Sequence, residues 1–456
     1  MTTLSQRCGS GHGCLPRSIA TALACRTLYE TWPTWRVGMR YPPLMSHAWV
    51  QADGQPIGED PEVIAAYTPT YTVGPEGTSV TTAPAPASQG SASRMTRLAE
   101  QLRELGAIRT DSVHHAFATV PRHLFITGFY TGGDAYTRLG DPPGEDLLEQ
   151  IYSDIALMTH RPSDAAGRPS SASMPRVVAR MLEALDLRPG LRVLEIGAGT
   201  GYNAALIAAI TGADVVSVDV SDVIVAEAAA ALQRAGASNA AAYVADGYLG
   251  HPERGPYDRI IVTCGITGIS PHWLEQLAPG GLILAPVAHA GFHPTLAVTL
   301  DGAGRLIGRG VLSSDFMAAG GPLYGRPADQ TSPPGEVPAD DDLTVWPNTV
   351  PALADDRYFD LWFALGAVDP RTTRAYTSGL DAALGMVCLH QPGRGTAWVQ
   401  RDGAIRFTGH QDLAHQLTAL IQQWDSADRP RISDWTIGFA LSQAADPLWH
   451  PAAWAR

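Results

Sequence analysis

The segment Val193–Ala208 reads VLEIGAGTGYNAALIA, with Gly197, Gly199 and Gly201 at alternating positions between an apolar run and an alanine-rich stretch. A glycine turn that joins a strand to a helix brings backbone N–H groups close to a ligand, most often a nucleotide-containing cofactor. A dinucleotide loop has the spacing GxGxxG. Here the third glycine comes one position early, and Tyr202 stands where the close-packing glycine belongs. Glu195 lies two residues before the loop. A carboxylate there sits poorly beside a pyrophosphate and suits a cationic ligand. Asp219 closes the next apolar run and can accept both ribose hydroxyls, and Asp246-Gly247 closes the one after, where a carboxylate can take an adenine amino group. Three glycines alone could serve only to shape a tight turn. With Glu195, Asp219 and Asp246 all at strand ends, the expected ligand is S-adenosyl-L-methionine, which carries a sulfonium and an ammonium group and no phosphate. The expected cofactor contacts are Glu195, Gly197, Gly199, Gly201, Tyr202, Asp219, Asp246 and Gly247. No metal is called for.

A second set of reactive residue types lies near the start. Cys14 begins the amphipathic stretch CLPRSIATALACRTL, where a helix dipole would stabilise a thiolate. His47 falls in SHAWVQADGQPIGE, on an expected strand, and Glu59 ends the next one, with Asp53 and Asp60 as competitors for the acid. Cys on a helix, His on a strand and an acid on a strand is the order of papain-like and transglutaminase-like sites. Spacing alone favours ordinary structural roles for all three.

The elements that must hold these residues alternate. LRVLEIG (191–197), ADVVSVD (213–219), AAYVAD (241–246), YDRIIVTC (257–264) and GGLILAPV (280–287) read as strands. Helical patterns fall at 202–210 and 223–236, which predicts an α/β fold with a parallel sheet and crossover helices. Residues 294–313 read as an antiparallel pair turning at DGAG. Upstream, MTRLAEQLRELGAI and RVVARMLEALDLR have helical spacing. The stretch 74–93, GPEGTSVTTAPAPASQGSAS, reads as a flexible linker, and 321–342 as a second one. The expected domains are therefore 1–73, 94–320 and 343–456. The last is a tryptophan-rich α+β accessory unit with a hairpin at WVQRDGAIRFTG and a helix at QDLAHQLTALIQQW.

Composition narrows the function classes. The chain has 456 residues with 32 basic and 45 acidic side chains, a net charge of −13 that disfavours a nucleic-acid partner. It has neither a secretory signal pattern nor an apolar run long enough to span a bilayer. Cys8, Cys14, Cys25, Cys264 and Cys388 form neither a CxxC pair nor an even framework, which suits a reducing cytoplasm.

Over about residues 94–290 the chain resembles the protein-L-isoaspartate (D-aspartate) O-methyltransferases. VPRHLFI (120–126), SASMPRVVARMLEAL (171–185), LRPGLRVLEIGAGTGYNAALIA, YDRIIVTCG and LEQLAPGGLILAPV carry the resemblance. It implies a Rossmann-like class I S-adenosyl-L-methionine-dependent methyltransferase acting on a peptide or protein that bears Asp or isoaspartate. Ser173 occupies the family's active-site serine position, Ser171 replaces its threonine, and its usual glutamine is absent here. An acceptor carboxylate is already ionised at neutral pH, so catalysis is expected from positioning and charge placement rather than from a base. Ser173 is then a hydrogen-bonding orienter, or alternatively a helix N-cap before PRVVARM. Arg122 either forks a substrate carboxylate or pairs with an acid of the fold. His123 and Cys264 are expected to be structural. The ester formed is displaced by the following backbone nitrogen to give a succinimide (aspartimide).

GCLPRSIATAL, TWPTWRVGMR and SHAWVQADGQPIGE resemble the transglutaminase-like leader peptidases of lasso-peptide biosynthesis. That resemblance implies Cys14 as nucleophile, His47 as base and Glu59 as its orienting acid. The fusion suggests tailoring of a lasso-type ribosomal peptide (RiPP) or its precursor. Repair of isoaspartate in damaged proteins and a leader cysteine peptidase activity are the alternatives. A small-molecule acceptor is disfavoured, because VPRHLF and SASMP belong to the face where a peptide would sit.

Overall fold

The computed structural model describes residues 14–29, 33–40, 45–52, 55–57, 64, 68–73, 91–132, 135–140, 142–161, 169–325, 335–336, 343–347, 350–377, 380–381 and 384–456. The chain divides into two compact units, one of residues 1–88 with 332–430 and one of residues 89–331 with 431–456. Among the described residues no helix is long and apolar enough to cross a membrane. The first linker expected at 74–93 lies outside the described residues up to residue 90, and Ser91 already begins a helix.

The first unit opens with helix α1 (Cys14–Tyr29), followed by strands β1 (Thr34–Arg40), β2 (Met45–Ala52), β3 (Gln55–Pro56) and β4 (Thr68–Val73). They form an antiparallel sheet in the order β3-β2-β1-β4. Helix α1 packs on β2, and Trp35 Nε1 on β1 donates to Ser18 Oγ at 2.8 Å. Ala48, Trp49 and Val50 of β2 are buried.

The second unit begins with α2 (Ser91–Glu104) and α3 (Asp111–Thr119). Next come the hairpin β5 (Gly128–Gly132) and β6 (Ala135–Arg138), α4 (Glu145–Ile151) and the pair β7 (Leu157–His160) and β8 (Ser170–Ala172). Helix α5 (Pro175–Ala184) leads into the alternating region of β9 (Val193–Ile196), α6 (Tyr202–Thr211), β10 (Val215–Asp219), α7 (Asp222–Arg234) and β11 (Ala240–Val244). β12 (Tyr257–Val262), α8 (Pro271–Gln276), β13 (Leu277–Pro286), β14 (Thr295–Leu300) and β15 (Leu306–Leu312) follow. β11, β10, β9, β12 and β13 are parallel, and the order places β10 and β12 on opposite sides of β9. The chain thus winds one way from β9 and then reverses, so the carboxyl end of β9 is a topological switch point, where open α/β sheets take their ligands. All four residues of β9 are buried, as a strand covered on both faces requires. Helix α6 is apolar all round and nearly wholly buried, whereas α7 buries only the stripe Ile224, Val225, Ala228, Ala231 and Leu232.

The first unit resumes with β16 (Gly335–Glu336), β17 (Thr344–Val345), α9 (Asp355–Val368), β18 (Thr372–Tyr376), β19 (Val387–Gln391), β20 (Gly395–Val399), β21 (Ile405–Gly409) and α10 (Asp412–Ser426). The strands form one sheet, with Trp398, Leu380, Met386 and Cys388 in a buried cluster. The hairpin expected at WVQRDGAIRFTG is β20–β21.

The expectation of a self-contained unit over 343–456 is corrected by the last two strands. β22 (Thr436–Leu441) pairs with β15, and β23 (Trp449–Ala455) pairs with β22. They extend the nine-stranded sheet to β11-β10-β9-β12-β13-β14-β15-β22-β23. Edge strand β15 would otherwise present unpaired backbone groups, and its Gly308 and Gly310 leave room for Phe439 and Ile432.

Candidate active site

The glycine loop is shaped by what touches each glycine. Gly197 has φ +100°, and a Cβ there would lie 2.7 Å from Thr263 Oγ1, whose hydroxyl donates to the Gly197 carbonyl at 2.7 Å. Gly201 has φ +80°, and a Cβ there would lie 3.3 Å from Ala228 of α7. The N–H of Gly199 reaches Asp219 Oδ2 at 3.5 Å, while Asp219 Oδ1 accepts from the N–H of Ser221 at 3.1 Å. The loop N–H that would hold a phosphate therefore faces a carboxylate. Burial raises the Asp219 carboxyl above its ordinary range, and hydrogen bonds from Ser221, Gly199, Ala198 and Val220 oppose that shift. Beside it, Val220 is 60% exposed, an apolar side chain at the strand end that a purine or ribose face would cover.

Asp246 Oδ1 accepts from the N–H of Tyr248 at 2.9 Å, which fixes the turn after β11. Gly247 packs against Ile196, and its carbonyl accepts from Trp273 Nε1 at 2.8 Å. Asp219 and Asp246 thus both stand at the carboxyl edge, and this pair of acceptors fits an adenosine without a phosphate.

Two of the expected contacts, Glu195 and Tyr202, have buried side chains engaged within the fold. Glu195 is 1% exposed, with Oε1 accepting from Asn203 Nδ2 at 2.7 Å and Oε2 from Ser217 Oγ at 2.6 Å. Both carboxylate oxygens are thus engaged within the fold, by α6 and by β10, behind the glycine loop. Burial pushes its carboxyl up to about 7, against the two hydrogen bonds. Tyr202 is 5% exposed, wedged between Phe117 and Phe125 at ring-centroid distances of 6.3 and 5.5 Å. Its side chain packs α6 against α3 and the segment that follows it.

Arg122 is engaged within the fold too. Its side chain is fully buried and donates to the carbonyls of Ile151 (2.7 Å), Ser153 (3.1 Å), Ile155 (3.1 Å), Ala172 (3.5 Å) and Ser173 (2.9 Å). Among the described residues it forms no ion pair with an acid, and its guanidinium is taken up by carbonyls that tie the 151–155 turn to the end of β8. Burial lowers its basicity, offset by the nearby Asp154 and tyrosine groups. His123 is structural as expected, with Nδ1 2.6 Å from Tyr152 Oη.

Ser173 lies between β8 and α5. The N-cap of α5 is Met174, which gives no side-chain cap, so the capping alternative for Ser173 fails. Asp154 supplies the cap instead: Oδ1 accepts from the N–H of Arg176 at 2.8 Å, and Oδ2 pairs with its guanidinium. Ser171 meets the loop through its backbone, its carbonyl oxygen 3.7 Å from the Cβ position of Gly199. A shallow cleft, partly open to solvent, brings the motifs together, lined by Phe125, Thr127, Ser170, Gly199, Thr200 and Ile224. Ser170, which the sequence reading did not single out, is the serine of that segment that lines it.

The family model for Protein-L-isoaspartate(D-aspartate) O-methyltransferase (PCMT) matches residues 93–321. The protein-L-isoaspartate O-methyltransferase of Pyrococcus horikoshii is 38% identical over 191 residues, which are 42% of this chain and 76% of that one. That of Hyperthermus butylicus is 32% identical over 240 residues, 50% of this chain and 88% of that one. The chain belongs to this family. A solved protein-L-isoaspartate O-methyltransferase is similar at 26% identity with a TM-score of 0.45, covering 79% of this chain and 99% of that one. A second model, for the Transglutaminase-like superfamily, matches residues 1–72.

In this isoaspartyl-methyltransferase unit the residues missed by sequence reasoning are bracing groups. Ser217 is a polar side chain in the otherwise apolar strand VVSVD, directly opposite Glu195 in the β9–β10 register. Asn203 sits in the first turn of α6 and Thr263 at the end of β12. A polar residue inside a fully buried strand is the signal that could have found Ser217, because burial demands a partner. Cys264 follows Thr263 with its thiol pushed up to about 12 by burial and by Asp219 and Glu195, which holds it in the protonated form.

In the transglutaminase-like segment, the backbone puts Cys14 at the first position of α1 and His47 on β2, against which α1 packs. His47 is buried and stacks on Trp49 at 6.3 Å. The Cys14 side chain and the whole of Glu59 lie outside the described residues, as do Asp53 and Asp60.

Proposed function

We propose that this protein is an S-adenosyl-L-methionine-dependent carboxyl O-methyltransferase that esterifies aspartyl or isoaspartyl residues of a peptide or protein. The single observation that carries the reading is membership of the isoaspartyl-methyltransferase family over residues 93–321. The glycine loop facing a carboxylate instead of a phosphate site agrees with it. The cofactor supplies a methyl group on a positively charged sulfur. Asp219 holds the ribose hydroxyls, Asp246 the adenine amino group, and the Gly197–Gly201 backbone leaves room for the rest. The ionised acceptor needs no base for this step, so the protein's task is to align it and exclude water. Ser173, with Ser170 and Ser171 beside it, orients the acceptor carboxylate.

The finer reading is tailoring of a lasso-type ribosomal peptide, with the ester closing to an aspartimide in the cytoplasm. The transglutaminase-like match at residues 1–72 supports it, since repair of damaged proteins requires no such segment. In that reading Cys14, His47 and Glu59 either process the precursor or bind it. The test is mass spectrometry with labelled cofactor on three substrates: an isoaspartyl peptide, a linear precursor and a folded lasso peptide. Tailoring gives a methylated species, then one lighter than the starting peptide by one water, on the lasso peptide. Turnover of the isoaspartyl peptide alone would return the protein to repair.

A further inference from the structure

Esterification leaves one polar array at the carboxyl edge without a task. His293 precedes β14, and Asp315 and Tyr324 follow β15. Asp315 Oδ1 lies 3.0 Å from His293 Nδ1, and Tyr324 Oη lies 3.1 Å from His293 Nε2. An ionised carboxylate only accepts, so Nδ1 carries the ring proton and Nε2 accepts from the phenol.

The array stands just past the end of β12, the neighbour of the β9 strand that leads into the glycine loop. The imidazole lies on Gly265, where a Cβ would come within 2.7 Å of its Cδ2 and Nε2. The preceding Cys264 Sγ is 3.9 Å from the Cβ position of Gly197. Thr267 Oγ1 donates to the carbonyls of Leu323 and Gly325, on either side of Tyr324, and Leu323 reaches the Gly247 position at 3.4 Å. His293 is buried and Tyr324 is partly exposed.

An Asp–His–Tyr array moves a proton off a phenol. Methyl transfer to an ionised carboxylate has no use for that. The next step does, because closure of the ester requires loss of a backbone amide proton. We propose that this protein also catalyses the closure of its own ester product to the succinimide, with Tyr324 as the proton-transferring group and His293 and Asp315 positioning it. The proposal rests on the carboxyl-methylation reading above. Tyr324 passes its proton to His293 Nε2, and the phenolate takes the amide proton of the residue after the esterified aspartate. The amide nitrogen attacks the ester carbonyl, so a C–N bond forms and the C–OCH3 bond breaks. The leaving methoxide takes a proton from Tyr324, which recovers one from the imidazolium. Ester plus amide become imide plus methanol, and the array ends as it began.

The experiment supplies a chemically prepared aspartyl methyl ester peptide to the full-length chain with S-adenosyl-L-homocysteine present, and follows imide and methanol. The wild type should close the ester about a hundredfold faster than buffer, the scale of a positioned acid–base group. Tyr324→Phe and His293→Gln should fall back toward the buffer rate, with calorimetric binding of the homocysteine product confirming that each is folded. A wild type no faster than buffer, or a folded Tyr324→Phe as fast as wild type, overturns the proposal. Because the ester is supplied ready-made, failure of methylation with the natural cofactor would count against the proposed function separately.

Discussion

Arg122 Nη2 donates to the carbonyl of Ser173 at 2.9 Å, joining two segments 51 residues apart. The arginine of VPRHLF thus sets the backbone of the serine segment. Ser173 is held by its main chain, which leaves its hydroxyl to be aimed by that frame.

Arg122→Lys keeps the charge and loses the planar fork, leaving several buried carbonyls without donors. At about 1–3 kcal/mol for each unsatisfied buried group, the variant should lose several kcal/mol of stability. Urea unfolding measures this. A stable Arg122→Lys with a raised KM for peptide would instead restore the substrate-fork role.

Gly197→Ala places a Cβ 2.7 Å from Thr263 Oγ1 at a backbone φ of +100°. Binding of S-adenosyl-L-homocysteine should fall at least about tenfold, matching a strain of roughly 1–2 kcal/mol. Asp219→Asn should weaken it by about ten- to hundredfold, the worth of charged hydrogen bonds to ribose. Calorimetry reads both, and unchanged affinity in the two variants would move the cofactor elsewhere.

Glu195 titrates at about 7 in the fold against an ordinary 4.5. The folded state therefore holds a proton that the unfolded chain has released between these values. Its stabilising contribution is full below about pH 4.5 and is lost as pH rises through about 7. Glu195→Gln should flatten the fall in the thermal midpoint of the ligand-free protein over that window. A cationic ligand favours the ionised form, so its binding near pH 6 should release protons, seen as a buffer-dependent enthalpy. A variant with the same pH profile as wild type would remove Glu195 from both effects.

Removing residues 443–456 deletes β23 and two contacts to the segments that follow β11 and β12. Tyr248 Oη donates to the carbonyl of Pro447 at 3.2 Å, and His450 Nδ1 lies 2.8 Å from the carbonyl of Thr267. The truncated chain should show a lower unfolding temperature and weaker cofactor binding. If 343–456 were a separable accessory domain, neither would change.

The alternating strands, the glycine loop and Asp219 were legible because each is local: buried β-strands are short apolar runs, and a tight turn demands glycine. The roles of Arg122, Tyr202 and Glu195 were not. Each is decided by partners brought in by folding: the 151–155 carbonyls, Phe117 and Phe125, Ser217 and Asn203. The place of the β22–β23 hairpin in the nine-stranded sheet is hidden for the same reason. Its partner β15 is separated from it by the whole of the inserted segment, and nothing in Thr436–Ala455 itself names β15.

That pairing carries a consequence for biosynthesis. The last two strands of the sheet leave the ribosome only after the inserted residues 332–430 have been made. A nascent chain that already displays the glycine loop still has an open edge at β15, so a stall in the insert would yield a sticky, unfinished sheet.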